Sequence, residues 1–199
     1  MKLNDRAGKL KTKFLVGRHV TLGVLSARTD FNPYAGWIND QDTVRYMAAG
    51  RFPAGVGELK AHVRAHAASK NGLLLGIFLN KTKRHIGNIS LNDIKWKDRH
   101  GEIGLLIGDK RSRGKGYATE AIRLLVEHSF TCLNLHKLYC GMVSGNEASR
   151  RAFLRVGFKE EGLLREHFYL DGSYLDCHRL GLLRDNYVRA RTTNRSGGR

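Results

Sequence analysis

The chain has 199 residues, 41% of them hydrophobic, and a formal charge of +17 at pH 7. That length suits one ordinary domain with a sizeable core, and the apolar share excludes a wholly disordered chain. The charge attracts anionic partners such as nucleotide-bearing molecules, nucleic acid or an acidic membrane surface, while no apolar run approaches the ~18 residues of a membrane span.

The N-terminus, "MKLNDRAGKLKTK", is basic but lacks the apolar stretch of a signal peptide. Residues 1–13 read as a basic extension, 14–187 as the domain and 188–199 as a basic tail. Strand alternation begins at "RHVTLGVL" (18–25). Helical spacing follows over 33–47 ("PYAGWINDQDTVRYM") and 55–70 ("GVGELKAHVRAHAASK"). Strands are expected at 72–80 and 85–96, joined by a "KTKR" loop, and again at 101–108 ("GEIGLLIG"). A helix over 116–131 leads to a strand at 136–144. The next helix opens on Asn146 as N-cap and closes on Gly157. Two last strands, "KEEGLLREHFYL" and "SYLDCHRLGLL", flank "DG" at 171–172, a strong hairpin signal. The order implies an α+β domain with a mixed, mostly antiparallel sheet.

Cys132, Cys140 and Cys177 have no CxxC or metal spacing and read as reduced structural thiols of a cytoplasmic protein. The nine histidines show no HExxH or ligand cluster, so no metal is expected. Zinc-finger, homeodomain and RNP1 patterns are missing, so no specific nucleic-acid reader is expected.

The most informative stretch is "RSRGKGYATEAIRLL" (111–125). It reads Arg113-x-x-Gly116-x-Ala118, with an overlapping frame from Arg111 through Gly114 to Gly116. Neither frame is a Walker loop or a dinucleotide fingerprint. Small residues directly before a helix N-terminus nevertheless suit a phosphate or pyrophosphate, because unpaired N–H groups and the helix dipole favour an anion. The competing reading of the glycines is a loop that merely needs φ > 0.

These residues resemble the GNAT (Gcn5-related) N-acetyltransferases over roughly 18–185. "RGKGYATEAIRLL" matches that family's [QR]-x-x-G-x-[GA] motif and helix, and "NEASRRAFLRVGFKEEG" its N-x-x-[SA] … G-F … E-G segment. "WINDQDTVRYM" and "LDGSYLDCHRLGLL" are similar to the branch holding ribosomal-protein, small-amine and amino-sugar acetyltransferases. The resemblance implies a mixed sheet with a central splayed strand pair flanked by helices, and acetyl-CoA as co-substrate. Its pyrophosphate would lie on the backbone of 113–118, involving Arg113, Gly114, Lys115, Gly116, Tyr117 and Ala118, with charge also from Arg111. The pantetheine arm would run along Leu106, Ile107 and Gly108, with Gly108 at a bulge that opens the splay. Asn146 and Phe153 complete the expected cofactor contacts.

Acetyl transfer needs a base for the amine and a proton for the leaving thiolate. Glu102 matches the general-base glutamate of histone-acetyltransferase relatives; the alternative is a strand-start glutamate paired with a basic neighbour. Where many members carry a tyrosine acid, this chain has Phe153, which cannot donate a proton. Ser149 is the expected replacement, its alternative an ordinary first-turn serine. Tyr34, Trp37, Asn39, Asp40 and Tyr46 cluster on the side that covers the acceptor, as core or, for Asp40, as an ammonium partner. On the penultimate strand, either His167 with Tyr169 or Glu166 with Phe168 faces the site. A small amine or nucleotide-linked amino sugar competes with a ribosomal-protein N-terminus as acceptor. A non-catalytic CoA-binding scaffold is the other class, and a homodimer is compatible with either.

Overall fold

Alternating apolar residues build one eight-stranded sheet in the computed structural model, which describes residues 13–26, 28–47 and 50–189. In chain order the strands are β1 (Lys13–Val16), β2 (Val20–Val24), β3 (Leu73–Leu79), β4 (His85–Lys95), β5 (His100–Ile107), β6 (Lys137–Val143), β7 (Lys159–Leu170) and β8 (Ser173–Leu183). Their spatial order is β1-β2-β3-β4-β5-β6-β8-β7. Every pairing is antiparallel except β5 with β6. The helices are α1 (Asn32–Ile38), α2 (Gln41–Val44), α3 (Val56–Ala68), α4 (Tyr117–Thr131) and α5 (Glu147–Leu154), with a 3-10 turn at Lys110–Ser112. This is the α+β class expected, a mixed sheet with helices on both faces.

Two cores sandwich the sheet. On one face, Ile122, Leu125, Val126 and Phe130 of α4 and Phe153 of α5 pack against alternate strand residues such as Ile89, Leu91, Ile103 and Leu138. On the other, α1 and α3 bring Tyr34, Ile38, Leu59 and Val63 against Phe78 and Leu106. β3 and β5 feed both cores through their period of two, with Leu75, Ile77 and Ile103 on one face and Phe78 and Leu106 on the other.

Several boundaries differ from the sequence reading. Lys13 already belongs to β1, a strand the basic composition hid, and residues 184–189 are helical, two residues into the expected tail. The rest of both extensions, 1–12 and 190–199, lies outside the described residues. The single helix expected over 33–47 breaks after Ile38. Asn39 folds its amide back to Ala35 O and across to Ala54 O (2.9 and 2.8 Å), and Asp40 is extended at ψ 104°. A side chain that competes for backbone partners ends a helix. Alternation in β7 is broken as well: Glu166 sits at φ 52° within a register shift between Leu164 and Phe168. The "DG" turn forms with both residues at positive φ, 50° and 82°, as a two-residue I′ hairpin requires.

Candidate active site

β5 and β6 run parallel but pair only from His100 to Glu102, opposite Lys137 to Tyr139. Beyond that point they separate, so the splay begins one residue after Glu102. Gly108, the expected opener, lies at the far end of β5. Its N–H and that of Asp109 share Ile86 O at 3.0 and 3.1 Å, an irregularity facing β4, away from the gap. What Gly108 needs its small size for is Trp37: a Cβ there would stand 2.0 Å from the indole Cδ2.

Because the Gly108 N–H points to β4, strand alternation turns the backbones of Ile103, Leu105 and Ile107 toward the gap. Ile107 is thus well placed for the expected cofactor arm. Leu106 is not: its backbone faces β4 and its side chain is buried in the α1–α3 core. Leu105, which the sequence reading passed over, takes that position, two residues before Ile107 on the same edge.

At the outer end of β5 the chain turns through Lys110–Ser112 into α4. Gly114 and Gly116 both adopt left-handed conformations, φ 74° and 81°, and nothing lies within 4 Å of a Cβ at either. Gly116 is the N-cap of α4, and the first helical bond is Glu120 N–H to Gly116 O at 3.1 Å. The N–H groups of residues 114–119 therefore have no acceptor among the described residues. The positive-φ reading of the glycines holds, and that same conformation aims this row of donors outward. Arg111 and Lys115 are exposed, with no ion pair among the described residues. Tyr117 and Ala118 pack their side chains against the α4-side core and offer only backbone to a ligand. An elongated molecule with a diphosphate fits this arrangement, its anion on 114–119 and its arm along the unpaired edge of β5.

Glu102 projects from the α3-side face at the root of the gap. Arg179 Nη1 donates to its Oε1 at 3.0 Å, and the same guanidinium lies 5.0 Å from the Tyr139 ring centroid. The pairing alternative for Glu102 is thus realised, with a partner contributed by β8. Burial, and next the Glu102 charge, push the Tyr139 phenol above its ordinary range. Arg179 and Tyr139 were both missed; only the register of β6 and β8 brings them to Glu102.

On the other side of the gap, Asn146 caps α5 by accepting the Ser149 N–H at 3.3 Å. Ser149 is half-buried one turn into that helix. Phe153 does not reach the gap. It is 2% exposed and meets Phe158 edge-on at 5.0 Å, a core residue in place of a cofactor contact. Tyr46 brings its hydroxyl beside Gly145, just before the cap.

A cavity of about 450 Å³ opens between the α1–α2 segment and the tip of the β7–β8 hairpin, lined among others by Asp42, Arg45, Tyr46, Val143, Phe168 and Asp171. Arg45 and Asp171 pair across it at 2.6 Å. Phe168 and Tyr169 both border it, one from each expected pair, while the bulge at Glu166 lies before them, so neither expected pair faces the site alone. Of the acceptor-side cluster, Tyr34 is buried and Trp37 packs on Gly108. Asn39 pins the 54 loop, and Asp40 is held by Lys110 at 2.8 Å. Asp40 is thus already matched with a cation of this chain. His85 stacks on Phe78 beneath Trp37, and burial drives its pKa down. Among the described residues no group of three or more potential metal ligands stands together.

A family model described as "Acetyltransferase (GNAT) domain" matches residues 20–159. The spermidine N(1)-acetyltransferase of Vibrio cholerae serotype O1 is 35% identical over 106 residues, spanning 53% of this chain and 61% of that protein. The putative ribosomal N-acetyltransferase YdaF of Bacillus subtilis is 30% identical over 175 residues, 85% of this chain and 93% of its own length. In three dimensions the chain superposes on the Vibrio cholerae spermidine N-acetyltransferase crystallised with CoA and spermine. The TM-score is 0.77 at 28% identity, covering 85% of this chain and 98% of that one.

Proposed function

The chain belongs to the GNAT acetyltransferase family, and on that premise we propose that it moves the acetyl group of acetyl-CoA onto a primary amine. The observation that carries this reading is the row of uncapped N–H donors at 114–119 at the end of the unpaired edge of β5. The donors hold the diphosphate, with Arg111 and Lys115 adding positive charge beside them. Leu105 and the Ile107 N–H take the arm by sheet-like hydrogen bonds, which brings the thioester to the root of the gap. There the amine nitrogen bonds the acyl carbon while the C–S bond breaks. Glu102 Oε2, the oxygen that Arg179 leaves free, accepts the amine proton directly or through water. Ser149, one turn into α5, protonates the departing thiolate.

For the acceptor, the charge pattern favours a small amine that also carries an anionic group, such as a phosphorylated or nucleotide-linked amino sugar. A polyamine, the substrate in the names of the spermidine relatives, needs free carboxylates for its remaining ammonium groups. Here Asp40 and Asp42 face Lys110, Asp171 is paired with Arg45, and Glu102 with Arg179. Arg51 lines the cavity with no partner among the described residues. The second reading, a protein N-terminus, is favoured by the width of that cavity and the end-to-end likeness to YdaF.

Thiol release from acetyl-CoA, followed with an amino sugar, its phosphate, spermidine and a peptide with a free N-terminus, tests both levels. The phosphorylated sugar should give the highest kcat/KM and spermidine the lowest. A preference for spermidine would overturn the acceptor class alone. CoA binding without acetylation of any amine would leave a non-catalytic CoA-binding scaffold.

A further inference from the structure

Arg113 belongs to the motif that shapes the anion-binding turn, yet two of its guanidinium N–H donors are committed within the protein, which fixes where the group sits. Nε donates to Ile107 O at 3.0 Å, and Nη2 donates to Thr43 Oγ1 at 3.0 Å. Thr43 has one hydroxyl hydrogen, and it goes to Asp40 Oδ2 at 2.8 Å, so the same oxygen can accept from Arg113 without conflict. Lys110 Nζ reaches that Asp40 oxygen from the other side, also at 2.8 Å. Hydrogen bonding from Lys110 holds the Asp40 carboxyl below its ordinary range and raises the ammonium in return. Two cations of the turn, Lys110 and Arg113, are thereby tied to the corner between α1 and α2.

That corner borders the acceptor cavity through Gln41, Asp42 and Val44. Its other ties run to the 50–54 loop and the hairpin tip: Asn39 with Ala54, Gln41 Nε2 to Gly50 O, and Arg45 with Asp171. α2 is four residues long, and Val44 is its one buried side chain. Arg111 and Lys115 stand exposed beside the same N–H row, so the diphosphate has cations at hand without drawing on Arg113. Moving the guanidinium to a phosphate would strip a donor from Ile107 O and from Thr43 together.

We propose that Arg113 is a positioning residue for the acceptor side, acting through Thr43 and Ile107 and fixing the α1–α2 corner against the cofactor turn, not a ligand of the phosphates. Its kinetic consequence rests on the acetyltransferase reading; its structural consequence does not. In the free protein the Thr43 and Val44 amides donate to Asp40 O at 2.9 and 3.1 Å and report on the corner directly.

The experiment combines hydrogen exchange, CoA titration and kinetics on Arg113→Ala, Thr43→Val and Thr43→Ser, with Arg111→Ala as the contrasting cation. Arg113→Ala and Thr43→Val should each speed exchange at residues 43 and 44 by about tenfold, the scale of one lost hydrogen bond. Thr43→Ser, which keeps the hydroxyl, should restore protection. Acceptor KM should rise by about fivefold or more in Arg113→Ala and Thr43→Val, with the acetyl-CoA KM within about threefold of the parent. CoA affinity should keep its salt dependence in Arg113→Ala and lose part of it in Arg111→Ala. Unchanged exchange at 43 and 44, or a tenfold loss of CoA affinity with a flattened salt slope in Arg113→Ala, overturns the proposal. Should Arg113→Ala fail to fold, Thr43→Val decides by the same exchange readout. A parent protein that binds no CoA would refute the acetyltransferase reading, while the exchange measurement still judges the strut.

Discussion

The turn at 110–119 and the cavity beneath the β7–β8 hairpin face the same gap but are made differently. The turn is built from one continuous segment and offers backbone N–H groups, whose direction is set by two left-handed glycines and the start of α4. The cavity is assembled from α2, the loop after it, the end of β6 and the hairpin tip, and it offers side chains. Two of its charges, Arg45 and Asp171, are matched across a sequence separation of 126 that no local pattern encodes. Backbone chemistry tolerates many side chains and so takes the form of a short motif. Side-chain chemistry depends on which distant elements meet.

The sharpest test of this contrast is Glu102, on the side-chain half. Glu102→Gln keeps the shape and the hydrogen bond to Arg179 but removes a proton acceptor, and kcat/KM should fall by about 10²–10⁴. The loss should shrink as pH rises, because more of the acceptor amine is then neutral, and CoA affinity should hold. Full activity at neutral pH would reduce Glu102 to an ion-pair partner and erase its half of the site.

Phe153→Tyr asks whether a motif position can be restored by sequence alone. The ring is buried against Phe158, so a hydroxyl would enter an apolar core without an evident partner. Stability should drop by about 1–3 kcal/mol in a denaturant titration, with no gain in rate. A faster enzyme of unchanged stability would show that the local motif outranks the packing.

On the backbone half, Gly116→Val imposes a β-branched side chain at φ 81°. Space is open there, so the cost is conformational and falls on the direction of the donors. Titration calorimetry should give a CoA affinity lower by about tenfold, roughly 1.4 kcal/mol. An unaltered affinity in the folded variant would separate the turn from the diphosphate.

The smallest expected effect concerns the floor under α1. Burial lowers the pKa of His85, and of His62 and His128 to the same sign, so the unfolded chain binds more protons than the folded one below the ordinary histidine range. Stability should therefore be complete above about pH 6.5 and decline as pH falls toward the folded-state values, by at most about 1.4 kcal/mol per pH unit for each proton. His85→Gln should flatten that slope in urea midpoints measured from pH 7.5 to 5.5. An identical slope would assign the effect to the other two histidines.

Much of this protein was determined by sequence at short range. The strands β2 through β6 and β8, the Asn146 cap, the "DG" turn and the glycine turn before α4 all follow from neighbouring residues, because strand and helix periodicity, caps and turns are local physics. Basic composition concealed β1, and the side chain of Asn39 cut one expected helix in two, since its partners at Ala54 lie beyond any helical window. The tertiary structure alone decided where the gap opens, that Leu105 and not Leu106 faces it, and that Phe153 is core. It alone set Arg179 on Glu102, 77 residues away, and Arg113 on Thr43, 70 residues away. Those contacts are fixed by strand register and by how α2 docks against the turn. Register is a cooperative property of the whole sheet, and a single strand carries no record of which residue its partner will present.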